Sequence, residues 1–265
     1  MAEDKKLQYP RHMLDWEEEE LILAYYYYCK LPFGKISPKN KEVVGIANTL
    51  GRSPGAVSRK LGNFAAIDPK MRERGIRGLS HGAKGDVAVA ETFANDWEGL
   101  VLKAKNIEAR LLSKGHQGLP LTEITEFPAG ETKEREVAAR INQDFFRSAV
   151  LGSYKKRCCM TGLEGEDLLI ASHIKPWSVS DPKTERTNPG NGLCLNALHD
   201  KAFDRGLITV TPDYIIHVSS KLKKQSDNEG IRWILQCDKQ QIIQPERFAP
   251  VKDFLEYHND VIFVP

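Results

Sequence analysis

The run from Leu168 to Leu207, LLIASHIKPWSVSDPKTERTNPGNGLCLNALHDKAFDRGL, constrains this chain more than any other stretch. "LLIASHI" is an apolar run of strand length that ends on His173, and Pro176 stops it three residues later. A loop rich in Pro and Asn follows, and "GLCL" is a second short strand. Asn196 is a good N-cap for a helix over "ALHDKAFDR", which Gly206 ends. The order is strand, loop, strand, helix. His173 lies on the first strand, Asn191 enters the second, and His199 falls in the first turn of the helix. A lone histidine at a strand end can satisfy a neighbouring carbonyl and do nothing more. Three such residues placed by this order point to chemistry.

The N-terminal section, to about residue 70, reads as helical. Asp15 can cap a helix entered through Trp16 and a run of glutamates suited to the positive end of the helix dipole. After "LILAYYYYCK", Ser37-Pro38 pairs an N-cap with an N1 proline, and "KEVVGIANTLG" ends on Gly51 at a C′ position. Ser53-Pro54 repeats the signal, and Val57, Leu61 and Phe64 fall at i, i+4 and i+7 as one apolar stripe. Two short helices joined by "GRS" resemble a helix-turn-helix. The polar face of the second would carry Ser58, Arg59 and Asn63, with Arg52 at its start. Arg and Asn are the side chains that read guanine and adenine edges. The alternative is a small helical bundle with a solvated basic face. A further helical run spans 86–112, with Phe93, Trp97 and Leu100 as core. Residues 113–133 carry Gly and Pro without a sustained period and read as the linker.

The helix "EREVAARINQDFFRSAVLGSY" then approaches the central run through Arg140, Arg147, Lys155, Lys156 and Arg157, either a solvated face or a phosphate-contact surface. The net charge of +2 means that any nucleic-acid role rests on local basic surfaces. No apolar run approaches the roughly 20 residues of a membrane span. The first twenty residues lack a signal-peptide core, so a cytoplasmic location is expected. Five cysteines without C-x-x-C spacing read as thiols and not as a structural zinc site, with one of the adjacent Cys158 and Cys159 packed and the other half-exposed.

"ASHIKPW", "NGLCL" and "LHDKAFDRGL", with His173, Asn191 and His199, resemble the HNH endonucleases, whose site is a ββα-metal motif. "RINQDFFRSAVLGSYKKRC", "TGL" and "NPGNGLCLNALHDKAFDRGLI" are similar to the bacterial restriction and anti-phage branch of that family, and the resemblance runs over about residues 135 to 220. The N-terminal third resembles the helical domains that precede nuclease modules in predicted bacterial restriction enzymes.

The fold class implied is α+β: a helical, helix-turn-helix-like domain over 1–112, the linker, and a ββα-metal nuclease domain over 134–265. His173 would be the general base, since a neutral imidazole suits proton abstraction from water near pH 7. His199 would ligate a divalent cation, Mg²⁺ or Mn²⁺ in preference to Zn²⁺, and Asn191 would orient His173 or brace its loop. Lys175 is placed to touch a phosphate. The resemblance implies 5′-phosphate and 3′-hydroxyl products, and cutting both strands of double-stranded DNA suggests a homodimer.

The sequence departs from the family at two positions. Ser172 stands where many members carry an Asp or His ligand, and Phe203 where some carry another His. The family's spacing leaves Asp200 as a competing ligand, while Asp204 reads as bracing the helix end. His12, His81, His116, His217 and His258 lack such context and read as structural. Downstream, a hairpin turns at Thr211-Pro212-Asp213 and "IRWILQ" reads as a strand; both would pack on the nuclease module or a dimer interface. A DNA-binding regulator with a decayed nuclease module and a structured-RNA nuclease are the competing functions.

Overall fold

The structure is a computed structural model that describes residues 9–11, 14–76, 84–114, 131–225 and 228–265. It divides into two compact units, Met1–Phe145 and Phe146–Pro265. Most of the expected linker, and His12, His81 and His116, lie outside the described residues.

The first unit is helical. Its central helix α1, Glu18–Lys30, buries every residue from Glu20 to Cys29, so it is surrounded by its neighbours. The helix opens on a capping box: Glu17 is the cap, and the Glu20 carboxylate accepts the Glu17 N–H at 2.8 Å. Asp15 is therefore not the cap. The same Glu20 is held by Arg52, which fixes where the first turn starts.

Helix α2, Lys41–Leu50, starts three residues later than Ser37 would place it, because Asn40 supplies the cap to the Glu42 N–H at 2.7 Å. Gly51 leaves the helix in the left-handed region (φ 63°), and Ser53 caps α3, Pro54–Ile67, as expected. Val57, Leu61 and Phe64 are all fully buried. After α4, Pro69–Glu73, the run expected as one helix is two, α5 (Lys84–Phe93) and α6 (Trp97–Ser113). Asp96 breaks it by capping the Gly99 N–H at 3.1 Å. Phe93, Trp97 and Leu100 are buried.

The second unit takes up the last turns of α7, Glu131–Ser153. Strands β1 (Leu169–His173) and β2 (Gly192–Asn196) pair antiparallel, from Leu169 opposite Asn196 to His173 opposite Gly192. Helix α8, Ala197–Asp204, packs back on both strands. A second hairpin, β3 (Ile208–Val210) and β4 (Ile216–Val218), follows. "IRWILQ" is not a strand: Asn228 caps the Ile231 N–H at 3.0 Å and opens α10, Glu229–Leu235, after the short α9, Ser220–Lys223. Ile231, Ile234 and Leu235 face the core at helical spacing, the period that a short apolar run hides.

The last residues pack on this unit. Ile243 N–H bonds the Cys159 carbonyl (2.8 Å), Glu246 N–H that of Ser153 (2.8 Å), and Val251 N–H that of Gly190 (3.0 Å). Beyond helix α11, Lys252–Tyr257, a π-turn over His258–Ile262 returns the chain so that Val264 N–H meets the Gly206 carbonyl at 2.9 Å. Gly206, at φ 65°, must be glycine: a Cβ there would lie 2.0 Å from the Ile262 carbonyl oxygen. Cys158 and Cys159 are both buried, where a half-exposed member was expected, and burial pushes the Cys159 thiol upward. No described helix is long and apolar enough to cross a membrane.

Candidate active site

His173 sits at the end of β1 on a floor supplied by α7. Its ring stacks on Phe146 at 3.8 Å between centroids, 12° from parallel, and meets Trp177 edge-on at 5.6 Å. Opposite it, Gly192 lets the hairpin lie close to α7, since a Cβ would meet Val150 Cγ2 at 2.3 Å and Phe146 Cζ at 3.0 Å. The imidazole is half-buried, and its Nε2 lies 2.9 Å from the Arg186 carbonyl oxygen. A carbonyl can only accept, so Nε2 carries the proton and donates it. In the neutral ring the lone pair is then on Nδ1. Burial holds the pKa below the ordinary imidazole value, partly offset by the Arg186 carbonyl and the Asp204 charge. His173 is therefore neutral at pH 7, with a basic nitrogen free.

Asn191 does not touch the imidazole. Fully buried, it accepts the Lys175 N–H (2.8 Å) and shares its amide donors among the Lys175 carbonyl, Ser180 Oγ and the Glu185 carbonyl. It thus staples both ends of the loop from Ile174 to Gly190, the loop that carries the Arg186 carbonyl. Arg186 is itself held there: its Nε donates to the Trp177 and Ser180 carbonyls, with the guanidinium 5.4 Å from the Trp177 ring. Asn191 thus bonds the same loop whose Arg186 carbonyl meets His173.

His199 is placed where it cannot ligate an ion beside His173. It has no exposed surface, and Asn196 Oδ1, which caps α8 through the Leu198 and His199 N–H groups, also takes the His199 Nδ1–H at 3.0 Å. Its Nε2 faces Cys237 Sγ at 3.5 Å, and Trp233 packs edge-on at 5.0 Å. Both ring nitrogens are engaged within the core, and burial lowers the pKa to about 4. His199, the expected metal ligand, thus has its ring nitrogens turned to Asn196 and Cys237.

Asp200 is half-buried, and its carboxyl is raised by burial and by the charge of Asp204, one turn away. The Ser172 hydroxyl and Lys201 hold it partly down. Ser172 Oγ, on a residue only 3% exposed, approaches this carboxyl without completing a hydrogen bond. Asp204 is exposed and acts on both Asp200 and His173. Ser172 and Asp204 thus both act on Asp200, and the Asp204 charge also reaches His173. Carboxylate and hydroxyl oxygens are donors suited to a hard divalent cation. Among the described residues no group of three or more His, Cys, Asp or Glu side chains is placed to hold a metal ion. Asp200 was legible only as a spacing alternative; Phe146 and the Arg186 carbonyl had no signal at all.

The expected nucleic-acid contacts divide. Arg52 is 3% exposed and fully committed: its guanidinium pairs with Glu20 at 2.7 Å, donates to the Leu14 and Asp15 carbonyls and stacks on Trp16 at 4.2 Å. It is a framework residue, not a base reader. Arg59 is exposed and Ser58 half-buried on one face of α3, while Asn63 is half-buried and donates to Asp86 at 3.3 Å. The Lys175 ammonium is neutralised by Glu185 at 2.6 Å. On the approach surface Lys155, Lys156 and Arg157 pair with Glu246, Glu166 and Glu164, and Arg147 braces the Glu166 and Leu169 carbonyls. His217 is exposed; His258 is buried against Phe203 and bonds Thr209.

The β1–β2 hairpin and helix α8 thus carry one neutral imidazole and two carboxylates. Residues 158–211 match the family model of HNH endonucleases. No curated protein matches the chain.

Proposed function

We propose that the protein is a metal-dependent endonuclease of double-stranded DNA, of restriction or defence type, in which His173 Nδ1 takes the proton of the attacking water. The single observation that carries this reading is the Arg186 carbonyl on His173 Nε2, which leaves the Nδ1 lone pair as the base, within the field of the Asp204 charge. The water oxygen forms its bond to phosphorus as its proton passes to Nδ1, and the bond from phosphorus to the 3′ oxygen breaks. The products are a 5′-phosphate and a 3′-hydroxyl. Asp200 and Asp204 would hold Mg²⁺ or Mn²⁺, with Ser172 beside them; such an ion supplies positive charge at the phosphoryl and leaving oxygens. Asn191 keeps the loop, and with it the His173 tautomer, in place.

Arg59, Ser58 and Asn63 on α3 form the reading face of a helix-turn-helix-like first unit. One module cuts one strand, so a homodimer acting in the cytoplasm accounts for double-strand cleavage. Supercoiled plasmid incubated with Mg²⁺ or Mn²⁺ should be nicked and linearised, and His173→Ala should abolish cutting while leaving DNA binding intact. Equal cutting by wild type and His173→Ala refutes the assignment. A second reading, a DNA-binding regulator, is favoured by the lack of three convergent ligands among the described residues. DNA binding with no divalent-ion uptake by calorimetry supports that reading, and preferential cutting of structured RNA would transfer the activity to RNA.

A further inference from the structure

The basic residues of the second unit are mostly spoken for by carboxylates or carbonyls, as with Lys155, Lys156, Lys175 and Lys223. Helix α8, which also carries Asp200 and Asp204, holds two that are not. Among the described residues Lys201 and Arg205 make no ion pair and no side-chain hydrogen bond, and both are exposed. At about 100° per residue, the buried residues His199, Ala202 and Phe203 occupy one arc of α8. Asp200 and Asp204 lie together at one flank of the outward arc, and Lys201 and Arg205 lie beside them, about 100° further round. Arg205 still follows the helical path, since its N–H reaches the Lys201 carbonyl at 3.3 Å.

We propose that Lys201 and Arg205 form a phosphate-gripping stripe that holds the nucleic-acid backbone beside the Asp200–Asp204 pair, so that one short helix presents both the cation-holding and the backbone-holding side chains. The inference rests on the nuclease reading. It assigns backbone contact to residues other than Lys175, whose charge Glu185 neutralises. Phosphate contacts position a strand without reading its sequence, and two free cations one turn apart on a rigid helix suit that task. An ammonium and a guanidinium there also keep two carboxylates from repelling the incoming phosphate.

The test is fluorescence anisotropy of a labelled duplex with the full chain in EDTA, where cutting is arrested, across a salt series. Each lost phosphate contact makes the slope of log affinity against log salt shallower by about 0.9, so the double variant Lys201→Gln/Arg205→Gln should lose about 1.8. The loss should be equal for unrelated sequences. The control Lys221→Gln, an exposed cation on α9, should leave the slope unchanged. An unchanged slope in the double variant, or an equal loss in the control, overturns the inference while wild-type cutting still stands. A wild type that neither binds nor cuts DNA overturns the nuclease reading, and this inference falls with it.

Discussion

Exchanging the roles of two neighbours, His199 and Asp200, tests the site most sharply. His199→Ala removes a fully buried imidazole, its bond to Asn196 and its contact with Cys237. The Asn196 cap survives, since it still receives the N–H groups of residues 198 and 199. A cavity of this size with one or two lost hydrogen bonds costs about 2–4 kcal/mol. The cost is one of stability, and cutting below the lowered melting temperature should stay within about threefold of wild type, because no catalytic interaction worth even 1 kcal/mol is lost. Asp200→Asn keeps the shape and removes a charge that burial opposes, so stability should move by no more than about 0.5 kcal/mol. Its rate should collapse: charge held against a phosphoryl oxygen is worth several kcal/mol, and at tenfold per 1.36 kcal/mol that is at least ~100-fold. The assay is first-order nicking of supercoiled plasmid in Mn²⁺, with thermal melts of both variants. Near-normal cutting by Asp200→Asn, together with loss of cutting in a folded His199→Ala, would refute the assignment of Asp200 and restore His199.

Two further perturbations probe the frame around the site. Gly206→Ala places a Cβ 2.0 Å from the Ile262 carbonyl at a φ of 65°. Left-handed strain of about 1–2 kcal/mol plus the freed Val264 bond should destabilise the second unit by roughly 2–4 kcal/mol. Faster amide exchange over 252–265 and 200–210 would report it, and unchanged exchange would contradict the packing. Acid tests His258, whose pKa burial lowers to about 4 from an unfolded value of 6.5. Below about pH 6.5 the unfolded state binds the extra proton, so this contribution is complete above that value and is lost as pH falls toward 4, on the order of 3 kcal/mol in all. Urea midpoints measured from pH 7 to 4.5 should fall less steeply in His258→Gln than in wild type; identical slopes would show that His258 is not the group responsible.

Much of this was legible because capping and turn chemistry are local. Ser53-Pro54, Gly51, Asn196 and Gly206 each act on backbone within a few residues, and each stands where its residue type implies. The failures share a different cause. Asp15 and Ser37 are competent caps that lost to Glu17 and Asn40, and at α1 the deciding partner, Arg52, is 32 residues from Glu20. Arg52 looked like a reader because exposure cannot be seen in a sequence; only the fold shows its charge already consumed. "IRWILQ" is too short for its period to separate strand from helix, and Asn228 before it was the cue that mattered.

Helix phase decides which of the two residues faces Ser172 on β1, and the phase is set by the cap. Asn196 ends β2 and begins α8 in the same residue, so the first helical positions inherit their direction from the strand. With the cap there, residue 199 must point back under the cap, where its Nδ1 can reach Asn196 Oδ1, and residue 200 is turned about 100° away toward β1. A cap one residue later would exchange them. Composition and motif spacing tolerate either phase, which is why two adjacent ligand candidates stood side by side in the sequence. The hydrogen bonds of Asn196 distinguish them: a histidine that completes a cap and meets a thiol is held in the core, and the carboxylate beside it is left with an orphaned serine hydroxyl and a second carboxylate for company. The same local geometry that turns His199 into the core thus leaves the Asp200 carboxyl beside Ser172 and Asp204.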